Sequence, residues 1–338
     1  MNATRFDVVV IGAGVAGSVL AREVARRGTS VLLVDKASFP RDKVCGCCIG
    51  VRGESLLQEA GLPLPPGPRL RELHLRVGTA DARMALPGGR VVSRASLDLA
   101  LLDAARAAGA TVRTGLAARL GPVIHGGRQV LLGDERVHAS LVVAADGLAG
   151  AVLPGAAVAR RSRVGLGAHV TDAADVPPPG TVEMLCGPGG YVGLVTDERG
   201  RLDVAAAVDA APLRALGPAG LVDRILASAG RAPLPPSTWR GTPALTRGAA
   251  PAAERALPLG DAAGYVEPFT GEGMTWAVAS ALALAPLAAE GWHADLPARW
   301  ERVRRGAVDA RSCRLLAGLL RRPRVLAPLV AALSRVPA

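Results

Sequence analysis

The chain opens with a change of hydrophobic period. From Asp7 to Ile11 the residues after the first are β-branched and uninterrupted, which predicts a strand buried on both faces. Val15 to Arg27 then follows a helical spacing that Gly28 ends, and Ser30 to Val34 predicts a second buried strand. Strand, helix and strand joined by short connections predict a parallel βαβ unit. Gly61 to Pro68 is rich in Pro and Gly and reads as a loop, whereas Leu73 to Val77 alternates as a half-exposed strand does. Ser96 to Ala108 predicts a helix capped by Ser96 and ended by Gly109, and Thr111 to Arg113 and Ser140 to Ala144 predict further strands.

From about Arg160 to Thr246 the texture changes to short alternating stretches, as in Gly165 to Val170, Thr181 to Leu185, Tyr191 to Val195 and Leu202 to Val208. These predict an antiparallel sheet crossed by a helix near Pro218 to Ala229. From Gly273 the pattern is helical. The expected fold class is α/β: a Rossmann-type nucleotide-binding domain with a parallel sheet, an inserted antiparallel-sheet substrate domain and C-terminal helices. The boundaries expected are residues 1–72, 90–159 and 247–290 for the first domain, 73–89 and 160–246 for the second, and 291–338 for the helical end.

Composition narrows the function classes. Half of the 338 residues are hydrophobic and only 3% aromatic, so Ala, Val and Leu must fill the core. The net charge of +11 is carried by arginines scattered along the chain, without the interleaved aromatics that base stacking needs, and predicts no nucleic-acid partner. Val8 to Ile11 starts too early and is too short for a signal peptide. Thr275 to Ala289 is shorter than the about 20 apolar residues of a spanning helix and contains Pro286, so it reads as a buried helix. A cytoplasmic protein is expected.

Gly12-Ala13-Gly14-Val15-Ala16-Gly17 is a GxGxxG placed after a strand and at the start of a helix. Such glycines allow a tight turn, close approach of backbone to a pyrophosphate and tight packing of helix on strand. Asp35 ends the second strand where a carboxylate accepts ribose hydroxyls, and Lys36 after it is a further cofactor-binding candidate. Dinucleotide binding follows; FAD against NAD does not. Leu259-Gly260-Asp261-Ala262-Ala263-Gly264 resembles the Gly-Asp segment of flavoprotein monooxygenases and reductases, in which the Asp contacts the ribityl chain. Pro268-Phe269-Thr270-Gly271-Glu272-Gly273-Met274 leads into a helix whose N-terminal amides suit the flavin ring edge. A plain strand–turn–helix would read the same way in isolation. Val142 to Gly147, with Asp146, is similar to the Asp-Gly segment beside the pyrophosphate, and Arg94 stands where these flavoproteins have a cofactor-contacting Arg, or is a surface Arg at a helix start.

Phe39-Pro40-Arg41-Asp42-Lys43-Val44-Cys45-Gly46-Cys47-Cys48, taken with these segments, resembles the geranylgeranyl reductase family of FAD-dependent enzymes, which has the fold of p-hydroxybenzoate hydroxylase. The resemblance implies FAD as cofactor, Arg41 and Cys48 near it, and Cys45 and Gly46 beside the isoalloxazine. It covers roughly residues 5–150 and 255–290. The family's Tyr-x-Trp-x-Phe-Pro stretch survives only as Tyr191 in Gly190-Tyr191-Val192-Gly193, a departure that bears on a long polyprenyl substrate.

Cys45 and Cys48 have the spacing of a dithiol couple, yet no second GxGxxG supplies the nicotinamide fold of disulfide reductases. The cysteines are either small side chains packed under the flavin or a flavin-proximal thiol, with Cys45 the catalytic candidate. Cys186, Cys313 and the five histidines form no paired metal motif, so no metal is expected. Glu267 either faces the flavin edge as a second catalytic candidate or is a solvated loop carboxylate; His74 and His169 read as packed or hydrogen-bonded.

The expected reaction is reduction of a C=C bond in a small hydrophobic or lipid-like substrate by reduced flavin. NADPH or another donor would bind transiently, or a redox partner protein would supply electrons. A flavin-dependent aromatic hydroxylase shares the fold and is the alternative. A halogenase is set aside, because no Lys follows Lys43 and Trp239, Trp276, Trp292 and Trp300 lack the Trp-x-Trp spacing. From another class comes a flavin-binding scaffold that docks on membranes. The tail Arg311 to Val336 mixes Leu, Ala and Val with Arg311, Arg314, Arg321, Arg322 and Arg324, which fits peripheral membrane contact, although ordinary helix packing gives the same spacing.

Overall fold

The computed structural model describes residues 4–333 except Pro268 and Thr270. In chain order it runs β1 (Arg5–Ile11), α1 (Val15–Ala25), β2 (Val31–Asp35), β3 (Cys48–Ile49), α2 (Val51–Glu59), β4 (Glu72–Val77), β5 (Ala80–Ala85), β6 (Arg90–Val91), α3 (Arg94–Ala107), β7 (Thr111–Thr114), β8 (Ala118–Ile124), β9 (Gly127–Leu132) and β10 (Glu135–Ala144). There follow β11 (Val164–Val170), β12 (Thr181–Gly187), β13 (Gly190–Thr196), β14 (Leu202–Val208), α4 (Ala210–Ser228), β15 (Arg240–Ala244), β16 (Ala256–Pro258), α5 (Gly273–Ala289), α6 (Leu296–Ala307), α7 (Arg311–Leu319) and α8 (Pro323–Leu333).

The first sheet has the order β7-β2-β1-β10-β9-β8, with β16 joining the end of β10. Its β7, β2, β1, β10 and β16 are parallel, and β8–β9–β10 form an antiparallel edge. Period-two alternation makes β1 buried on both sides. Val8 and Val10 pack with α1, α3 and α5, while Val9 and Ile11 pack with Val34, Val142 and Ala144 on the opposite face. Helix α5 is apolar nearly all round and accordingly buried. The Trp300 indole donates to Pro258 O at 2.9 Å, tying α6 to β16.

The second sheet runs β15-β11-β14-β13-β12-β4-β5. It is antiparallel apart from the parallel pair β4–β12. Its inner face packs on α4, which begins earlier than its sequence suggests and breaks at Gly217, whose φ is +68°, immediately before Pro218. The N-cap of α3 is Ser93 rather than Ser96, because the Ser93 hydroxyl accepts from Ser96 N and Arg94 is already helical. Among the described residues no helix is long and apolar enough to cross a membrane.

At Gly17 the α1–β1 packing leaves no room for a side chain, since a Cβ there would lie 1.8 Å from Gly12 O. Gly17→Ala is expected to destabilise the cofactor-free protein by about 1–3 kcal/mol through this overlap, read as a lower urea midpoint. An unchanged midpoint would contradict this packing.

Candidate active site

The site begins where β1 ends. Gly12 has φ +109°, and a Cβ on it would meet Ala145 O at 2.3 Å, so the ends of β1 and β10 approach as only glycine allows. Gly14 caps α1 without a side-chain hydrogen bond, leaving the first amides of that helix open. The Arg41 and Arg94 guanidiniums each come within 3.6 Å of the place a Gly14 Cβ would take. A helix N-terminus and two guanidiniums thus converge, the donor set that binds phosphates.

The two arginines are held by acids beneath them. Arg94 pairs with the fully buried Asp98 through two 2.8 Å hydrogen bonds, and Asp98 keeps this guanidinium charged in spite of burial. Arg41 Nη2 lies 3.4 Å from Asp98 and 3.6 Å from Asp35, and its buried Nε has no partner. Asp35 accepts from Ala13 N at 2.7 Å and Ala37 N at 2.8 Å, which fixes the loops on either side of it.

Distant segments close on this turn. Gly260, with φ +61°, abuts it, a Cβ there lying 2.9 Å from Ala16 Cβ. Asp261 follows in a short 3₁₀ turn, with Lys43 Nζ 3.6 Å from its carboxylate. Gly147 stands over the same pair. Asp146 accepts from Val152 N with one oxygen, while the other is buried and without a partner. Gly271 has φ +73°, a Cβ on it would lie 3.6 Å from Cys48 O, and Gly273 starts α5 against the Tyr265 ring.

A cavity of about 1010 Å³ runs through this assembly. Gly14, Val15, Ala16, Cys45, Gly46, Cys48, Arg94, Asp261, Gly271, Gly273 and Met274 all line it. Past Cys45 the wall becomes apolar, formed by Leu73, Leu75, Met184, Leu245, Leu320 and Leu326 among others. Tyr191 also faces it, edge-on to Phe269 at 5.2 Å between ring centres, and burial pushes its phenol up.

Two expectations fall elsewhere. Lys36 is exposed and off the cavity wall, since it follows Asp35 onto the outer surface. Glu267 neither faces the cavity nor is solvated. Its fully buried carboxylate pairs with Arg163 at 2.8 Å and with Arg321 at 3.5 Å, and both arginines also reach Asp209. Burial pushes Glu267 up, and Arg163 opposes the shift. An acid so held ties the loop before α5 to the turn between α7 and α8. Pro268 lies outside the described residues. His74 pairs with Asp81 at 2.7 Å, and His169 with Asp203 at 3.1 Å. Among the described residues no group of His, Cys, Asp and Glu is arranged to hold a metal.

The family model for FAD-dependent oxidoreductases matches residues 7–43. Digeranylgeranylglycerophospholipid reductase 2 of Methanothermobacter thermautotrophicus is 30% identical over 320 residues, spanning 85% of this chain and 78% of the relative. The chain belongs to the geranylgeranyl reductase family. Menaquinone reductase of Mycolicibacterium smegmatis is 44% identical to this family member over 84 residues, a match that spans 25% of the chain and only 20% of that relative. Among solved structures, a geranylgeranyl bacteriochlorophyll reductase-like protein of Thermoplasma acidophilum superposes with a TM-score of 0.78 at 19% identity, over 99% of this chain and 93% of that one. The myxobacterial halogenase CndH superposes with a TM-score of 0.72 at 22% identity, over 89% and 79%. Both share the fold. This reductase-family protein is therefore an FAD-dependent oxidoreductase, and its site fits that cofactor: the donors around Gly14, the unpartnered Arg41 Nε and the free Asp146 oxygen are polar groups that a dinucleotide would satisfy.

The three clustered cysteines differ sharply. Cys47 turns away from the cavity with a left-handed φ of +52° and packs on Leu70, Val91 and Val195. The neighbouring Cys47 thiol and, against the effect of burial, the Arg94 charge hold Cys45 down to about 6. Burial keeps Cys48 protonated and pushes Cys186 up to about 12. In the cofactor-free protein, alkylation by iodoacetamide is expected to fall first on Cys45, because only the thiolate reacts. Its rate should be low below pH 6, rise through that value and level off above it; Cys47→Ala should move the midpoint up. Peptide mapping that finds Cys48 modified first, or a midpoint near that of free cysteine, would contradict this.

Proposed function

We propose that this protein uses FAD to reduce a carbon–carbon double bond in an apolar, lipid-like substrate. One observation carries the reading. The cavity does not end at the cofactor cradle but continues past Cys45 into a sleeve lined by Leu73, Leu75, Met184, Leu245, Leu326 and Val330, side chains that solvate hydrocarbon and nothing charged. The Methanothermobacter relative, named a digeranylgeranylglycerophospholipid reductase, points to the same substrate class.

The assigned roles follow from position. Gly12, Gly14 and Gly17 shape the turn, the amides of Val15 and Ala16 with Arg41 and Arg94 take the pyrophosphate, and Asp35 takes the adenosine ribose. Asp261, with Lys43 beside it, holds the ribityl chain; Asp146 and Gly147 close over the pyrophosphate. Cys45, Gly46 and Cys48 on one side and Gly271, Gly273 and Met274 on the other would hold the ring, and the first amides of α5 would favour negative charge there. When bound, FAD supplies a hydride to the substrate. The chain's part is to align the double bond along the sleeve, keep water out, and provide a proton from the Tyr191 or Tyr265 phenol, both on the cavity wall and both kept protonated by burial. The chain has a single GxGxxG, so electrons come from NADPH bound transiently or from a redox partner protein.

Under nitrogen, dithionite-reduced holoenzyme mixed with a geranylgeranyl lipid is expected to regain its oxidised flavin spectrum, while the lipid gains two hydrogens per double bond by mass spectrometry. If the lipid emerges unchanged and reoxidation needs oxygen together with an aromatic substrate that becomes hydroxylated, the protein is a monooxygenase instead.

A further inference from the structure

Helices α7 and α8 close the apolar end of the cavity. Leu316 and Leu319 of α7 and Leu326 and Val330 of α8 face inward. Leu326 and Val330 pack with Leu75 and Val77 of β4, Ala82 of β5 and Met184 of β12. The outer faces are different in kind. Leu315 on α7 is 77% exposed, and Val325, Leu329 and Leu333 on α8 are exposed at a spacing of one helical turn, which aligns them as one stripe. Leu329 and Leu333 belong to both surfaces, being exposed and also part of the cavity wall. The cavity therefore opens where the apolar stripe runs.

The charge that α7 and α8 themselves carry is of one sign. From Ala310 to Leu333 the sequence contains no Asp or Glu. Arg321 is committed to Asp209 and Glu267 and bolts the α7–α8 turn to the body of the protein. Arg311, Arg314, Arg322 and Arg324 are exposed, and among the described residues none of them pairs with a carboxylate. Two copies of such a face would repel each other. An anionic bilayer complements it on both counts: guanidiniums meet lipid phosphates, and the leucines reach the acyl boundary.

We propose that α7 and α8 form a docking surface for a bilayer containing anionic lipid and hold the cavity mouth against it. The surface would let an apolar substrate pass from membrane to sleeve without crossing water. In that respect the proposal rests on the lipid-like substrate reading, but vesicle binding is read without substrate, so the failure of one is visible apart from failure of the other.

The test is flotation of full-length, FAD-loaded protein with vesicles of phosphatidylcholine alone and of phosphatidylcholine mixed with phosphatidylglycerol. Flotation is expected with the mixed vesicles at low salt and should weaken at high salt. The paired substitution Leu315→Glu and Val325→Glu, at positions off the cavity wall, should abolish it. Arg314→Glu with Arg324→Glu should lower partitioning at least 25-fold, about fivefold for each cation lost. All variants should keep their FAD and their unfolding midpoint. Wild-type protein that stays with the dense fraction in both vesicle types at low salt would overturn the proposal, as would leucine- and valine-substituted protein that floats like wild type. So would absent flotation together with a dimer, seen by light scattering, that Leu315→Glu and Val325→Glu convert to monomer.

Discussion

The contact on which the rest of this structure depends is the absence of side chains between three backbones. The turn after β1 lies so close to the end of β10 that a Cβ on Gly12 would overlap Ala145 O, and so close to the later turn at Gly260 that Ala16 fills the gap. Segments far apart in sequence are thus brought to one point, where the open amides of α1, Arg94 and Asp261 surround one cavity and Arg41 stands beside Asp98. The cofactor site is the consequence of that close approach. Substitutions along the turn act on the geometry of the whole cradle before they act on any single hydrogen bond.

Two of the buried charge clusters bear on the cavity, and each has a distinct job. Ionised groups are expensive to bury, and removing one partner of such a pair costs about 3–5 kcal/mol. Arg94 on Asp98, with Arg41 beside them, holds positive charge under the place where phosphates would lie. Arg163 and Arg321 on Glu267 and Asp209 have no such outlet towards the cavity; they join the second sheet, the loop before α5 and the turn between the last two helices. The second cluster makes the lid of the apolar sleeve and the loop beside the flavin position parts of one mechanical unit. A lipid-like substrate would then meet a wall whose far end is anchored to its reactive end.

Much of this could be read from the residues, for physical reasons. The strands β1 and β2 and helix α1 declare themselves through period and glycine placement, and Asp35 and Asp261 stand at the ends of patterned segments. Strands β8 and β9, at the antiparallel end of the first sheet, carry Arg, Gly and Gln in an alternation too weak to mark them as strands. The sequence points to Ser96 as the cap of α3 where Ser93 serves, since both are Ser and only backbone geometry separates them. Glu267 drew attention through its neighbours in sequence, yet its partner Arg163 is distant in the chain and lies in an arginine-rich stretch with no distinguishing spacing. Lys43 carries a usable signal, being one of two lysines in a chain that otherwise uses arginine. The part played by α7 and α8 in walling the cavity depends on tertiary packing and left no local trace.

One FAD should lie across the β1 turn and the Gly260–Asp261 turn of each chain. Equilibrium titration of cofactor-free protein with FAD, followed by gel filtration and absorbance, tests it most directly. A yellow protein retaining one FAD per chain, with ADP competing for the adenine half, is the predicted result. A protein that elutes colourless after saturation with FAD would contradict the account at its root.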